Sequence, residues 1–413
     1  MTFFLIILFS MLGGDVVWWA VADSKVRRLQ IAPRARLAWR LAIGAWALAM
    51  AGLFVAVVIV RILGHDLVLP EIVSMASFIW HLIVLPITLL CFLVAWLVRN
   101  GAALGQWAWG KLAPRRAVTD DEQPPAALAP TRRQFLTAGA ASALPLLGIG
   151  SAVGWSVYDQ HRFRVRRITI PYAHLPRELD GVTIAHLSDT HFGGFTGGDD
   201  LPRILQGTLA LRPDVVTHTG DLINHSLDDL PMGLDLLRQV NERVPVVMCE
   251  GNHDLFEGRV AFERRVREAG VPLLVNERHT VRVRGYPLQF LGLRWGAAVP
   301  TLDRRQTGLA ANAAETFALR DPDPFTVLLA HHPHAFDYAA QANVGLTLAG
   351  HTHGGQVMLT DRLGPGPLMY KYWSGLYRAP NDAACVVSNG IGNWFPLRIN
   401  APAEIVHITL KRA

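Results

Sequence analysis

Residues 181–191 read GVTIAHLSDTH, a short apolar run that ends in an aspartate and, two positions later, a histidine. A run of this length suits a buried strand, with its polar residues gathered just past the end. The pattern recurs four times. PDVVTHTGD (213–221) closes on Gly220-Asp221, and VPVVMCEGNHD (244–254) on Gly251-Asn252-His253-Asp254. FTVLLAHHPH (325–334) ends in histidines, and VGLTLAGHTHGG (344–355) ends in His351 and His353. Segments of helical spacing at 200–212, 229–243 and 260–270 alternate with the first three runs, which predicts an α/β fold. Polar side chains at strand ends on one sheet edge can converge on a ligand. Residues i and i+2 of an extended chain share a face. Asp189 with His191, and His351 with His353, therefore point into one pocket if the backbone stays extended beyond the strand. Carboxylate, imidazole and amide oxygen donors suit Mn, Fe, Zn or Ni rather than a thiolate-loving metal. A Gly-Asp pair or a lone His-x-His is common, but five such endings in one order are not a chance pattern.

Outward from this region the composition changes. The chain has 413 residues, enough for two or three domains, and its apolar content of 51% exceeds the need of a soluble protein. Mean hydropathy is +0.25. The net charge of +6 does not mark a nucleic-acid partner, because it is unevenly placed. Residues 1–157 hold 13 basic and 7 acidic residues, whereas residues 158–413 hold 26 of each. All the excess lies in the apolar part, where basic loops set topology. The three cysteines, Cys91, Cys249 and Cys385, have no metal or disulfide spacing and read as buried, inert thiols.

Four stretches reach bilayer length, at 2–22, 41–63, 72–98 and 135–157. The first lacks the basic start of a signal peptide, and Gly13-Gly14-Asp15 interrupts it, so a retained span is the better reading. Trp18, Trp19, Trp39, Trp80, Trp96 and Trp155 lie towards the ends of these runs, at headgroup level. Lys25, Arg27, Arg28, Arg34, Arg36 and Arg40 fall between spans one and two. Arg99, Lys111, Arg115, Arg116, Arg132 and Arg133 fall between three and four, and only Arg61 falls between two and three, against Asp66 and Glu71. The positive-inside rule then puts both basic loops in the cytoplasm and residues 158–413 outside. Asp15 and His81 sit within spans, where an ionisable group is either functional or a bundle-facing hydrogen bond. Four arginines between 158 and 167 read as a short linker that keeps the following domain near anionic lipid.

With these residues in view, the order DxH…GD…GNHD…H…GHxH resembles the calcineurin-like metallophosphoesterase superfamily. LDGVTIAHLSDTHFG, GDLIN, EGNHD, LLAHHP, AGHTHGGQ and SNGIGNWFPLRINAPAEI resemble its bacterial YkuE/YaeI branch. The resemblance covers 162–413. It implies a four-layer α/β/β/α sandwich, here preceded by an α-helical membrane region of about four spans. The division expected is a three-span region at 1–111, a cytoplasmic linker at 112–133, a fourth span at 134–157 and a catalytic domain at 158–413. The resemblance also implies two divalent metal ions bridged by Asp221. Asp189, His191 and His353 complete the first site; Asn252, His331 and His351 complete the second. Of the histidines in AHHPH, the resemblance selects His331 and leaves His332 and His334 as neighbours. His253 is implied to stay off the metals and face the leaving group. Asn224 stands where many relatives have Asp.

The activity implied is hydrolysis of a phosphodiester by direct attack of metal-activated water, with no covalent enzyme intermediate. A phospholipid or cell-envelope phosphoester fits a domain outside the membrane; the pyrophosphate of a lipid-linked sugar nucleotide is the alternative. The partners expected are the phosphoester and the membrane, with no nucleic acid. The rival reading is a membrane-tethered binding module with a vestigial metal site. Residues 131–140, TRRQFLTAGA, look like a twin-arginine export signal placed before the fourth span of an inner-membrane protein. Arg132 and Arg133 read otherwise as plain topology charges.

Overall fold

The computed structural model describes residues 2–62, 70–112, 132–159, 161–296, 302–360 and 362–413. Most of the expected linker, at 113–131, lies outside the described residues, as do residues 63–69. The chain forms two compact units, Met1–Ser156 and Val157–Ala413.

The first unit is helical. It comprises α1 (Thr2–Arg27), α2 (Pro33–Ile62), α3 (Glu71–Ile79) running through a π turn (Trp80–Val84) into α4 (Leu85–Leu112), and most of α5 (Arg132–Asp159). Among the described residues, Pro33–Ala56, Ile72–Gly101 and Arg132–Asp159 are long and apolar enough to cross a membrane. Leu48, Ile87, Leu144 and Leu147 project from these segments without protein cover, as lipid-facing side chains do. Gly13-Gly14 does not break α1. A Cβ on Gly14 would lie 3.1 Å from Leu89 and 3.2 Å from Leu85, so the glycine lets α1 approach α4 closely. One expectation fails here. Cys91 is exposed on α4, whereas Cys249 and Cys385 are buried as expected.

The second unit runs β1 (Arg164–Tyr172), β2 (Thr183–Leu187), α6 (Leu201–Ala210), β3 (Val215–Thr219), α7 (Leu230–Asn241), β4 (Val246–Cys249), α8 (Arg259–Glu268), β5 (Glu277–Val283), β6 (Tyr286–Gly292), α9 (Leu302–Ala318), β7 (Thr326–Leu329), α10 (Ala335–Gln341), β8 (Leu346–Ala349), α11 (Pro365–Met369), β9 (Gly375–Arg378), β10 (Ala384–Val387) and β11 (Glu404–Arg412). Two sheets form, ordered β1-β11-β2-β3-β4 and β5-β6-β7-β8-β10-β9. In the first, β2, β3 and β4 are parallel and β11 runs against β2; in the second, β6, β7, β8 and β10 are parallel.

Alternation along each strand builds the layers. Ile184, Val215 and Val247 of the first sheet share one core with Val327, Leu346 and Val386 of the second, so the sheets face each other. Their sequence neighbours Ala185, Val216 and Val246 turn outward onto Ile204, Leu236 and Phe262 of α6, α7 and α8. On the far side, Leu291 and Leu328 meet Ala313, Ala335 and Ala339 of α9 and α10. The result is a four-layer α/β/β/α sandwich. Strands buried on both faces explain why the sequence shows continuous apolar runs instead of alternation. Each fully buried Ile, Leu, Val or Phe side chain contributes about 1.5–3 kcal/mol.

The segment read as a basic linker is partly strand. Arg164 and Arg166 belong to β1 and meet Glu404, which is fully buried on β11. Arg166 donates to its Oε1 at 2.5 Å and Arg164 to its Oε2 at 3.0 Å, while the Asn389 N–H also donates to Oε1 at 2.9 Å. These two charges are committed to a buried carboxylate, where a lost partner is costly, and not to a lipid surface.

Candidate metal centre

Each predicted ligand sits just beyond a strand. Asp189 and His191 follow β2, Asp221 follows β3, and Asn252 and His253 follow β4; His331 follows β7, and His351 and His353 follow β8. Three strand ends from each sheet meet at one edge, because Asn389 and Arg398, beyond β10, join them. The backbone does not stay extended past the strands, yet the side chains converge. Asp189 (φ 52°), His191 (φ 46°), Asp221 (φ 54°), His351 (φ 71°) and His353 (φ 48°) all take the left-handed conformation. The chain turns sharply at these five residues, which lets successive side chains enter one pocket. Such conformations cost roughly 1–3 kcal/mol each and persist only where the surroundings hold them. Gly220 makes that possible at Asp221: its φ is 87°, and a Cβ there would lie 2.5 Å from the Gly251 nitrogen.

The donor atoms converge. His191 Nε2 and His353 Nε2 are 3.0 Å apart, and Asp189 Oδ1 lies 3.3 Å from the latter and 3.9 Å from the former. Asp221 Oδ2 lies 3.0 Å from His331 Nε2 and 3.6 Å from His191 Nε2. His351 Nδ1 lies 3.2 Å from His331 Nε2 and 2.9 Å from Asn252 Oδ1. Three groups are compact enough to hold a metal ion: Asp189, His191 and His353; His191, Asp221 and His253; and Asp221, His331 and His351. Asp221 belongs to two of them. His253 also falls within one, so distance alone admits it as a ligand.

Surrounding hydrogen bonds aim these groups. Thr219 O accepts from His331 Nδ1 at 2.7 Å, which turns His331 Nε2 inward. Asn224 O accepts from His253 Nδ1 at 2.6 Å, and the His253 backbone N–H donates to Asp221 Oδ1 at 2.8 Å. Burial works to raise the Asp221 carboxyl, but His331, then His253 and His191, hold it below the ordinary carboxylate range. Asp189 is likewise held well below that range, chiefly by His353 acting against burial. Asp254, given no role from sequence, organises the Asp221 loop by accepting N–H bonds from Asp221, Leu222, Ile223 and Gly251 at 2.8–3.2 Å.

Arg398 was also missed. It is buried and donates to the carbonyls of Asn389, Gly392 and Ala401, to Asn393 Oδ1, and through Nη2 to His353 Nδ1 at 2.9 Å. The phrase WFPLRIN contained it, but nothing in strand periodicity links residue 398 to residue 353. His332 is off the donor cluster and accepts the His334 N–H through Nδ1 at 3.2 Å. Trp295 covers the second donor group, its ring 5.3 Å from that of His331 and 5.1 Å from that of His351.

The donor set fits a pair of divalent cations. Carboxylate and imidazole donor atoms from both sheets converge within 3.0–3.9 Å of one another, the donor types and spacing that such cations take once the ring nitrogens facing the site give up their protons.

The calcineurin-like phosphoesterase profile matches residues 182–355. A transmembrane protein with metallophosphoesterase domain from Danio rerio is 30% identical over 257 residues, which are 60% of this chain and 58% of that protein. The metallophosphoesterase YkuE of Bacillus subtilis is 30% identical over 291 residues, which are 68% of this chain and 98% of YkuE. A metallophosphoesterase of Campylobacter jejuni is 28% identical over 255 residues, covering 60% of this chain and 63% of its own length. The chain thus spans under two thirds of the first and third relatives and nearly all of YkuE. A relative matched almost from end to end, and a profile that begins at Val182 and closes just past His353, together mean that the chain belongs to the calcineurin-like phosphoesterase family, in the branch that includes YkuE.

Proposed function

We propose that the protein is a membrane-anchored, metal-dependent phosphodiesterase. The observation that carries this reading is the position of Asp221, whose carboxylate reaches His191 from the first sheet and His331 from the second and belongs to two of the three donor groups. Asp189, His191, Asp221 and His353 would hold one divalent ion, and Asp221, Asn252, His331 and His351 the other. Bound there, two such ions neutralise phosphoryl oxygens and make water a competent nucleophile near neutral pH.

The protein's own groups do the rest. Asn252 is neutral, so the site keeps enough positive charge to accept an anionic ester. His253 is fixed by donating Nδ1–H to Asn224 O, which leaves Nε2 free to face the leaving oxygen; as an imidazolium the ring would give that oxygen its Nε2 proton. No side chain is asked to form a bond to phosphorus. Turnover of a phosphodiester, a phosphomonoester and a phospholipid by the full chain in detergent with Mn added tests the proposal; no hydrolysis of any of them, with metal bound, would leave the binding-module reading.

The metal-free site titrates in a way that bears on loading. His331 rises to about 9: burial lowers it, and the Asp221 carboxylate 3.0 Å away more than offsets burial. Below that pH a proton must leave before Nε2 can donate a lone pair. Mn affinity is therefore expected to rise about tenfold per pH unit through neutrality towards pH 9. Calorimetric titration reads it, and a flat profile would remove His331 from the ligand set.

A lipid or other envelope phosphoester is the substrate we favour. Tyr370 lies 5.8 Å from His351, ring to ring, and just before it Leu368 and Met369 are 84% and 67% exposed. Leu359 and Leu363, shortly before α11, are 75% and 57% exposed. Apolar side chains left in water beside the site suit acyl chains better than a soluble sugar nucleotide.

For location we propose four spans in the inner membrane with residues 158–413 on the outer side. Arg132 and Arg133 open α5 as exposed residues, accessible to an export receptor. The twin-arginine route carries folded domains, which suits a site assembled from separated strand ends and loaded before transport. Arg132→Lys with Arg133→Lys keeps the charge and is expected to strand residues 158–413 in the cytoplasm. Protease added to spheroplasts should then spare the mutant domain and cut the wild type. Equal digestion would make the pair topology charges only.

A further inference from the structure

Asp15 and His81, far apart in sequence, meet inside the helical unit, and both are buried. His81 Nδ1 is 2.9 Å from the Ser77 carbonyl. A carbonyl only accepts, so Nδ1 carries hydrogen. His81 Nε2 is 3.1 Å from Asp15 Oδ2, and Asp15 Oδ1 accepts from Trp80 Nε1 at 2.8 Å. With hydrogen already on Nδ1, a neutral imidazole presents a lone pair at Nε2. A carboxylate presents another. The contact forms only if one more proton lies between them, giving either imidazolium with carboxylate or imidazole with carboxylic acid.

We propose that Asp15 and His81 form a proton-binding site within the membrane-spanning bundle. One proton, taken from water, bonds to Nε2 or Oδ2 and leaves the pair net neutral. Without it the bundle would bury a negative charge and two facing lone pairs, which is unfavourable in a medium of low polarity.

The backbone is shaped around the pair. Trp80 and His81 open the π turn, where the Leu85 N–H donates to the Trp80 carbonyl five residues back. Single π turns inside α-helices occur frequently at functional sites. Gly14, next to Asp15, lies against Leu85 and Leu89 of α4. Phe54 of α2 stacks on His81 at 4.4 Å, and Trp18 of α1 and Trp46 of α2 pack edge-on against Trp80 at 4.9 and 5.6 Å. The groups packed against the pair from α1, α2 and α4 are thus aromatic or aliphatic. The next carboxylate along α1, Asp23, is already held by Arg27 at 2.5 Å and Arg40 at 2.6 Å.

The test is a proton count on the full chain in lipid nanodiscs. With histidine nitrogen labelled, His81→Gln identifies the His81 signals among the 16 histidines. At neutral pH the wild type should show both ring nitrogens of His81 protonated, or a buried carboxylic-acid infrared band from Asp15. Asp15→Asn is the discriminating variant. Its amide can donate to Nε2 and still accept from Trp80, so it needs no extra proton. It should keep the fold, lose the infrared band, and return His81 to a single protonated nitrogen. If Asp15→Asn does not fold, the infrared difference between wild type and His81→Gln carries the count. A wild-type His81 protonated on Nδ1 alone, with no carboxylic-acid band from Asp15, would overturn the proposal.

Discussion

Asp221→Ala is expected to lower hydrolysis by more than about a thousandfold, the scale on which a preorganised charge in a water-poor site acts, and to reduce metal content at both positions together. Its carboxylate lies 3.0 Å from His331 and 3.6 Å from His191, and it anchors the His253 backbone N–H. Removing it leaves histidines from both sheets with no shared anion. Asp221→Asn separates loss of charge from loss of shape, because asparagine keeps the size and tolerates the left-handed backbone that alanine resists. Metal analysis beside an activity assay is the measurement. Two ions per chain and normal turnover in both variants would refute the shared-ligand assignment.

His253→Gln is expected to keep both metals and lose about 10²–10⁴ in rate, the usual worth of a positioned general acid. The loss should be largest for alkyl esters, whose leaving oxygen most needs a proton, and smallest for nitrophenyl esters. The geometry makes this the decisive variant for His253, since its ring also lies within reach of His191 and Asp221. A fall in metal content would make His253 a ligand and end its assignment to the leaving group.

The site was legible wherever it depended on local order. The strands and helices read from 181–191, 213–221, 244–254, 325–334 and 344–355, and from the stretches between, are β2, α6, β3, α7, β4, α8, β7 and β8, with ends shifted by a few residues. Apolar runs and strand-end residues are near neighbours in the chain, so one sequence contains both. What depended on distant pairing was not legible from pattern. Nothing in Glu404–Arg412 shows that β11 inserts between β1 and β2, parallel to one and antiparallel to the other. The second sheet came from family resemblance alone. Arg398 and Asp254 escaped notice because their importance lies in which backbone groups they reach, and those are fixed only once six strand ends have met. The assumption of extended backbone failed for a related reason: periodicity describes a strand and says nothing of the turn that ends it.

That turn has a consequence for the rival reading of a vestigial site. At Asp189, His191, Asp221, His351 and His353 the backbone would be more comfortable with glycine, and the crowded lone pairs with almost any apolar or amide side chain. Stability and chemistry therefore pull in opposite directions at the same five positions. A chain released from the need to hold metal would gain by drifting downhill, each position independently, towards residues that fold better. The five positions thus carry a conformational cost that a fold alone does not ask for, and a bound cation is what would offset it.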